Sequence, residues 1–251
     1  GRVYRQKGYE IPEGSRTVKG TSIVNLLPLE AGEKITAVIP VKEFIDNQFL
    51  FMATNRGTVK KTTLTDFDST RKIGLNAITL DDGEDLIDVK LTDGHSSIIL
   101  ATRNGLAIHF SEDDVRPMGR TAHGVRGILL GVDDIVVSMD TVPEYGEVLT
   151  ATEEGMGKRT MASEYRVQTR GGKGVINLRV TEKTGHVVGA LVLLPQQEII
   201  MVTAAGLIIR LTADGISKFG RNAQGVKLID LNGADKVVAI AVVEEEADEE
   251  E

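Results

Sequence analysis

An internal repeat with a period near 50 residues constrains this chain more than any other feature. Each repeat has a turn glycine next to a strand-like apolar run, at Gly1, Gly57, Gly105, Gly155 and Gly206. A second glycine, called here the box glycine, follows 19 residues later in four repeats and 17 residues later in the second. Such a period is typical of propellers and solenoids, whose stacked neighbours bury a shared core. We therefore predict one domain over residues 1–243, with repeats at about 1–47, 48–95, 96–145, 146–196 and 197–243.

Each repeat has the pattern of about four short strands. Alternating β-formers surround a glycine turn, which is a hairpin signal, and a β-branched run such as 22–27 or 175–180 follows each box glycine. Only short pieces near 41–45 and 161–165 have the pattern of helical turns. The fold class predicted is all-β, a propeller-like array of about five four-stranded blades. Because the chain has no tryptophan, it lacks the tryptophan-aspartate signature of one large propeller class.

The acidity of the chain is concentrated at its end. The net charge is −8, but seven of the residues in 244–251 are carboxylates, and the remainder has 30 acidic against 29 basic residues. A run of like charges without aromatic residues predicts a disordered tail. This tail either keeps the chain soluble or acts as a tethered anion that competes with another polyanion for the basic face of the domain.

Composition also disfavours several other classes of protein. The chain has no cysteine, which excludes disulfides, thiolate metal sites and a cysteine nucleophile. No apolar run approaches the ~20 residues of a membrane span, so we expect a cytoplasmic protein with no membrane partner. Because the chain starts at Gly1 without a methionine, we also expect it to be a piece of a longer protein.

The stretch from Gln168 to Gly174 is the strongest candidate binding site. It combines three glycines with two cations, so its backbone is free to curl while its side chains face an anion. The stretches that end at the other box glycines are weaker copies, with an arginine three or four residues before the glycine. The candidate anion-binding residues of the box are Gln168, Arg170, Gly171, Gly172, Lys173 and Gly174.

Two series of basic residues predict a curved basic rim. One stands about four residues after each turn glycine, where the third repeat has His109, and the other precedes each box glycine. In a radial array, equivalent positions fall on equivalent parts of the rim and suit the backbone of a DNA duplex. The alternative is that they are ordinary solvated surface positions. The predicted rim residues are Arg5, Arg16, Lys19, Lys60, Lys61, Arg71, Arg120, Lys158, Arg159, Arg210 and Arg221.

No pattern in the sequence predicts catalysis. The four histidines lack metal-ligand spacing, and no glycine-rich stretch completes a dinucleotide or P-loop fingerprint. We therefore expect no enzyme activity, cofactor or metal in this chain. The few aromatic residues lie mostly in apolar runs, which disfavours stacking on single-stranded nucleic acid and favours a duplex.

Several stretches of the chain resemble the C-terminal domain of the bacterial DNA gyrase A protein. They are Arg2-Val3-Tyr4, Gly8 to Pro12, Ile23 to Leu29, Gly155 to Thr160, Gly220 to Val226 and the acidic tail. The resemblance implies a six-bladed β-pinwheel that wraps duplex DNA, in which the Gln-x-Arg-Gly-Gly-Lys-Gly box is the signature of wrapping. It also implies a non-catalytic part of an ATP-dependent type II topoisomerase that introduces negative supercoils. The partners implied are the rest of the gyrase A protein and the gyrase B protein, with ATP and magnesium bound in other regions.

The position of the box departs from the family pattern. In the family the box belongs to the first blade, whereas Gln168 to Gly174 lies in the fourth of five repeats, which corresponds to the fifth blade. This implies that the chain lacks most or all of the first blade and that its box is a secondary copy. Two alternatives remain open: the equivalent domain of topoisomerase IV, which serves decatenation, and a propeller whose basic rim binds an acidic protein.

Overall fold

The computed structural model describes residues 1–15, 17, 19–69 and 73–243, so Arg16, Arg71 and the predicted tail at 244–251 lie outside the described residues. The strands are β1 (Arg2–Val3), β2 (Phe49–Thr54), β3 (Thr58–Thr63), β4 (Leu75–Asn76), β5 (Leu86–Thr92), β6 (Ser97–Thr102), β7 (Leu106–Ser111), β8 (Val125–Arg126), β9 (Val136–Thr141), β10 (Glu147–Thr152), β11 (Met156–Met161), β12 (Val175–Ile176), β13 (Val187–Leu193), β14 (Glu198–Thr203), β15 (Ile208–Thr212), β16 (Val226–Lys227) and β17 (Val237–Val243). Short 3-10 helices lie at Gly8–Glu10, Ile23–Asn25, Leu64–Phe67, Glu112–Asp114, Ala162–Glu164 and Ala213–Gly215.

The strands form a series of antiparallel sheets, which confirms the prediction of an all-β, propeller-like fold. Three sheets have four strands, in the orders β5-β2-β3-β8, β9-β6-β7-β12 and β13-β10-β11-β16. The last sheet has three strands, β17-β14-β15, and the first pair is β1-β4. Among the described residues, therefore, three of the five predicted blades are complete four-stranded sheets.

Each of the later repeats begins with the hairpin that its turn glycine predicts. The hairpin β2-β3 turns at Gly57, with Ala53 opposite Val59, and β6-β7 turns in the same way at Gly105. Both glycines have positive φ, +79° and +84°, a backbone conformation that residues with a side chain rarely adopt. The glycine at this position is therefore required by the turn itself.

The outer strand of each complete sheet comes from the following repeat. Strand β8 follows the box glycine of the third repeat but pairs with β3 of the second, and β12 and β16 pair with β7 and β11 in the same way. The box backbone must pass very close to the neighbouring hairpin: a Cβ on Gly174 would lie 2.3 Å from the carbonyl oxygen of Ala107. The prediction of about four strands in each repeat is confirmed for the later repeats, but each complete sheet contains three strands of one repeat and one strand of the next.

The inner strands join neighbouring sheets near the centre of the array. Side chains of β9 accept hydrogen bonds from the backbone of β13, at 2.9 Å from Ala190 N to Ser138 Oγ and 2.8 Å from Val192 N to Asp140 Oδ2. Nζ of Lys90 on β5 forms a salt bridge with Oδ1 of Asp140 on β9, at 3.1 Å. Apolar clusters also cross repeat boundaries, as where Phe51 and Phe110 pack together. This burial between neighbours is what the repeat pattern predicts.

The first repeat departs from the prediction. No described residue between β1 and β2 belongs to a strand, and the run 22–27, predicted as a strand, contains the 3-10 helix Ile23–Asn25. In later repeats the matching run is a strand because it pairs with the hairpin of the preceding repeat, whereas 22–27 belongs to the first repeat of this chain. The helical turn predicted near 41–45 is not formed, while 161–165 contains the 3-10 helix Ala162–Glu164.

Candidate nucleic-acid interface

The box of the fourth repeat crosses the hairpin of the third and is tied to it by backbone hydrogen bonds. The amide of Gln168 donates to the carbonyl of His109 (2.9 Å), and the amide of Gly171 donates to that of Gly127 (2.6 Å). The boxes of the third and fifth repeats, residues 118–124 and 219–225, cross in the same way, because Met118 N and Phe219 N also donate to the preceding hairpin. The box is thus part of the junction between blades.

The arginine of the box is a cross-blade tether. Nε of Arg170 donates to the carbonyl of Asp114 (2.9 Å) and Nη1 donates to the carbonyl of Arg126 (3.0 Å). Arg221 repeats this contact, since its Nη1 donates to the carbonyl of Ile176 (2.8 Å) on β12. Both side chains are half-buried. Lys173, by contrast, is exposed, two residues before the start of β12.

Lys61 and Arg159 do not lie on an exposed rim, so that part of the prediction is wrong. Lys61 is 4 % exposed and Arg159 5 %. Each reaches the 3-10 helix of the next repeat: Lys61 Nζ donates to Glu112 O (2.9 Å) and Arg159 Nε to Ile216 O (2.8 Å). His109, at the equivalent position, lies 2.8 Å through Nδ1 from Tyr165 O. Their side chains point into the junction and stabilise the contact between repeats.

Lys60 and Lys158 are also buried, which overturns their placement on the rim. Both are 0 % exposed. Nζ of Lys158 donates to the carbonyls of Gly220 (2.6 Å) and Arg221 (2.7 Å), and Nζ of Lys60 donates to those of Ala77 and Arg120. Burial lowers the pKa of each ammonium group to about 8, because desolvation disfavours the charged form.

The remaining predicted rim residues fall into different environments. Arg5 is half-buried, and its Nη1 lies 2.6 Å from Oδ1 of Asp68. Its guanidinium group also stacks over the ring of Phe44. Arg210 is exposed but paired with Glu198. Lys19 is exposed and Arg120 half-buried.

Three exposed arginines beside the boxes were missed by the sequence reasoning. Arg116 and Arg166 each precede a box arginine by four residues, and Arg126 follows the box glycine of the third repeat by two. A signal was available, because Arg116 and Arg166 are spaced by one repeat. Together with Lys173 these residues are called here the exposed box cations. None of them takes part in the salt bridges found among the described residues.

The exposed box cations belong to one outer zone of the array. Arg126 stands on β8, an outer strand, and Arg170 ties the carbonyl of Arg126 to the box that carries Lys173. Arg116 and Arg166 precede equivalent backbone bridges to the hairpin of the preceding repeat, at Pro117 and Val167. Recurrent unpaired cations on one edge suit a repetitive anion.

Neither a metal site nor a membrane span is evident in the part of the chain that the structure describes. No group of three or more histidine or acidic side chains there is placed to hold a metal ion. The helices described are too short to cross a membrane.

Comparison with known proteins identifies relatives over the whole chain. The family model described as "DNA gyrase C-terminal domain, beta-propeller" matches residues 1–42, 48–93, 96–143, 146–193 and 197–244. The DNA gyrase A protein of Salmonella typhimurium is 48% identical over 251 residues, and that of Escherichia coli K12 is 47% identical; each match covers 100% of this chain and 29% of the relative. The chain therefore spans less than a third of the length of these relatives.

Solved structures show the same fold. The C-terminal domain of DNA topoisomerase IV matches with a TM-score of 0.88 and 29% identity, over 94% of this chain and 74% of that one. The DNA gyrase A C-terminal domain matches with a TM-score of 0.83 and 27% identity, over 96% of this chain and 79% of that one. The five matched segments and the shared fold show that this chain belongs to the DNA gyrase C-terminal domain family.

Proposed function

We propose that the chain binds double-stranded DNA along its exposed box cations and bends or wraps it, as a non-catalytic domain of a DNA gyrase A protein. The observation that carries this proposal is the recurrence of exposed cations in or beside two successive boxes: Arg116, Arg126, Arg166 and Lys173, which form no salt bridge with any described residue. Because cations that neutralise phosphates release counterions, binding should be weakly sequence-selective and strongly dependent on salt. Radial placement of the cations favours a curved path for the duplex.

The family relationship supports the wider role of the domain. In an intact gyrase, wrapping would supply the DNA segment for ATP-dependent negative supercoiling, with the rest of the gyrase A protein and the gyrase B protein as partners in the cytoplasm. ATP and magnesium would act in those other regions. This chain would contribute the shape of the DNA path and no chemical step.

Topoisomerase IV is the second candidate for the parent protein. The similarity to the topoisomerase IV C-terminal domain, with a TM-score of 0.88, supports it, while the relatives with 47–48% identity support gyrase. A basic edge that binds an acidic protein is a third candidate from a different class.

The test uses relaxed closed-circular plasmid, a nicking-closing enzyme and this chain, at low and moderate salt. We expect a change in linking number of one sign that grows with protein and disappears in a variant with the exposed box cations replaced by alanine. Lys183→Ala, an exposed cation outside the boxes, is the matched control. Salt-sensitive binding to an acidic protein but not to duplex DNA would overturn the proposal.

A further inference from the structure

Two buried lysines hold the boxes of the repeats that follow them. Lys158, on the hairpin of the fourth repeat, donates hydrogen bonds to two consecutive carbonyls, Gly220 and Arg221, in the box of the fifth. Lys60, on the hairpin of the second repeat, donates to the carbonyl of Arg120 in the box of the third, and to Ala77. In both cases the carbonyl of the box arginine is an acceptor.

The junction between them lacks this lysine. Ile108 occupies the equivalent position on the hairpin of the third repeat and is also 0 % exposed. It lies under the glycine-rich box, since a Cβ on Gly172 would be 3.8 Å from its Cδ1. An isoleucine therefore fills the space between the hairpin and the box at this junction. Packing between the hairpin and the box does not by itself require a lysine at the equivalent position.

The lysines carry a cost that the isoleucine avoids. A buried ammonium group loses hydration and is retained only where hydrogen bonds compensate it. The charges that act on Lys60 are those of Asp66 and the amino terminus at Gly1, and those that act on Lys158 are Glu164 and Arg221. The direct acceptors are backbone carbonyls in both cases. The hydrogen bonds to the box are thus what compensates the burial.

We propose that Lys60 and Lys158 are positioning residues that lock the box backbone of the third and fifth repeats. In the third repeat, this lock fixes where the flanking exposed cations Arg116 and Arg126 stand on the DNA-binding edge. Among the three boxes whose residues are all described, the glycine-rich box of the fourth repeat lacks this lock, because Ile108 stands at the junction in place of a lysine. The expected effect on DNA rests on the proposed function. The hydrogen bonds from the lysines to the boxes lie within the protein and do not depend on that function.

The test compares Lys60→Met, Lys158→Met and the double variant with the unmodified chain. Methionine keeps the length and apolar contacts of lysine and removes the donors. Amide hydrogen exchange in the partner box, 118–124 or 219–225, should become about tenfold faster or more, because each lysine supplies charge-assisted hydrogen bonds. Exchange in residues 169–174 is the internal control and should not change.

DNA measurements separate positioning from direct contact. In the folded double variant, the change in linking number per bound chain should fall, while the slope of log affinity against log salt stays that of the unmodified chain. A slope reduced by about 0.9 per lysine would show that the lysines contact phosphate, and would overturn the inference. Unchanged box exchange together with an unchanged linking number would overturn it as well.

A reciprocal variant keeps the inference testable if methionine at either site prevents folding. Ile108→Lys places an ammonium group beneath Thr169 and Arg170, whose carbonyls correspond to those of Gly220 and Arg221. Exchange in 169–174 should slow, and unchanged exchange would contradict the lock. If the unmodified chain produces no linking-number change at all, the proposed function fails, and the exchange measurements alone then decide this inference.

Discussion

Nη1 of Arg170 donates a hydrogen bond to the main-chain carbonyl of Arg126, 44 residues earlier in the chain, at 3.0 Å. The same contact recurs one repeat later between Arg221 and Ile176, at 2.8 Å. Arg126 and Ile176 stand on the outer strands of successive sheets, so the box arginine of one repeat binds the outer strand that the preceding repeat contributes. The arginine therefore recurs in the boxes because it joins neighbouring repeats, whether or not it also binds a ligand.

Replacing either box arginine should therefore reduce stability. Arg170→Ala removes charge-assisted hydrogen bonds to two carbonyls, Asp114 and Arg126, and we expect a loss of ~1.5–3 kcal/mol in the free energy of unfolding. Urea denaturation measures it. Arg179→Ala, an exposed arginine on the segment after β12, is the control and should change stability by less than about 0.5 kcal/mol. Equal stability of the two variants would contradict the tether.

The exposed cation of the same box should act on DNA and not on stability. Lys173→Ala should lower duplex affinity and reduce the slope of log affinity against log salt by about 0.9, because one phosphate contact is lost. Arg126→Ala should do the same independently. Titrations at several salt concentrations measure both slopes, with Lys183→Ala as the surface control. An unchanged slope in Lys173→Ala would remove this residue from the interface.

The sequence was sufficient for the repeat, the hairpins and the all-β class because these depend on local signals. Gly57 and Gly105 mark turns through their own backbone conformation, which needs no knowledge of the rest of the chain. The contribution of an outer strand by the following repeat was not predicted, because β8 pairs with a hairpin some 66 residues earlier, with Val125 opposite Val59. No local pattern distinguishes a strand that pairs within its repeat from one that pairs outside it.

The exposure of the cations was the weakest part of the sequence prediction. Lys60 and Lys61 are adjacent on β3 and point to opposite faces, yet both were predicted to lie on the exposed rim. Both are buried, because neighbouring repeats cover both faces of β3. Arg116 and Arg166 lie outside strands, where no alternation of faces applies, and they are the exposed ones. Burial in this fold is decided by the neighbouring repeat.

The buried lysines predict a specific dependence of stability on pH. Their folded pKa, about 8, lies below the ordinary value of 10.5, so above pH 8 the unfolded chain binds protons that the folded chain does not. Stability contributed at these sites should therefore rise with pH between about 8 and 10.5. Unfolding by urea across this range, for the unmodified chain and for the double methionine variant, isolates the effect. If the free energy of unfolding rises equally with pH in both proteins, Lys60 and Lys158 are not the source of the pH dependence.

The acidic end, residues 244–251, is predicted to compete with DNA for the basic edge. Its deletion should raise duplex affinity at low salt and have little effect at high salt, where screening weakens both interactions. A tail of the same length with every Asp and Glu changed to Asn and Gln is the matched control, and it should behave like the deletion. Equal affinity and equal wrapping in all three chains would leave the tail only a role in solubility.

Two glycines of one box should differ sharply in their tolerance of alanine. Gly174 has φ +77°, and a Cβ there would lie 2.3 Å from the carbonyl oxygen of Ala107 and 2.8 Å from its carbon, so backbone would have to move. Gly174→Ala should cost at least about 2 kcal/mol of stability from strain and overpacking. At Gly172 the nearest atom to a Cβ is 3.5 Å away, which is ordinary contact, so Gly172→Ala should fold normally. Thermal and urea unfolding of the pair measure the difference. If Gly172→Ala folds normally but loses duplex affinity, that glycine admits the DNA backbone, whereas equal destabilisation of both variants would refute the close crossing at Ala107.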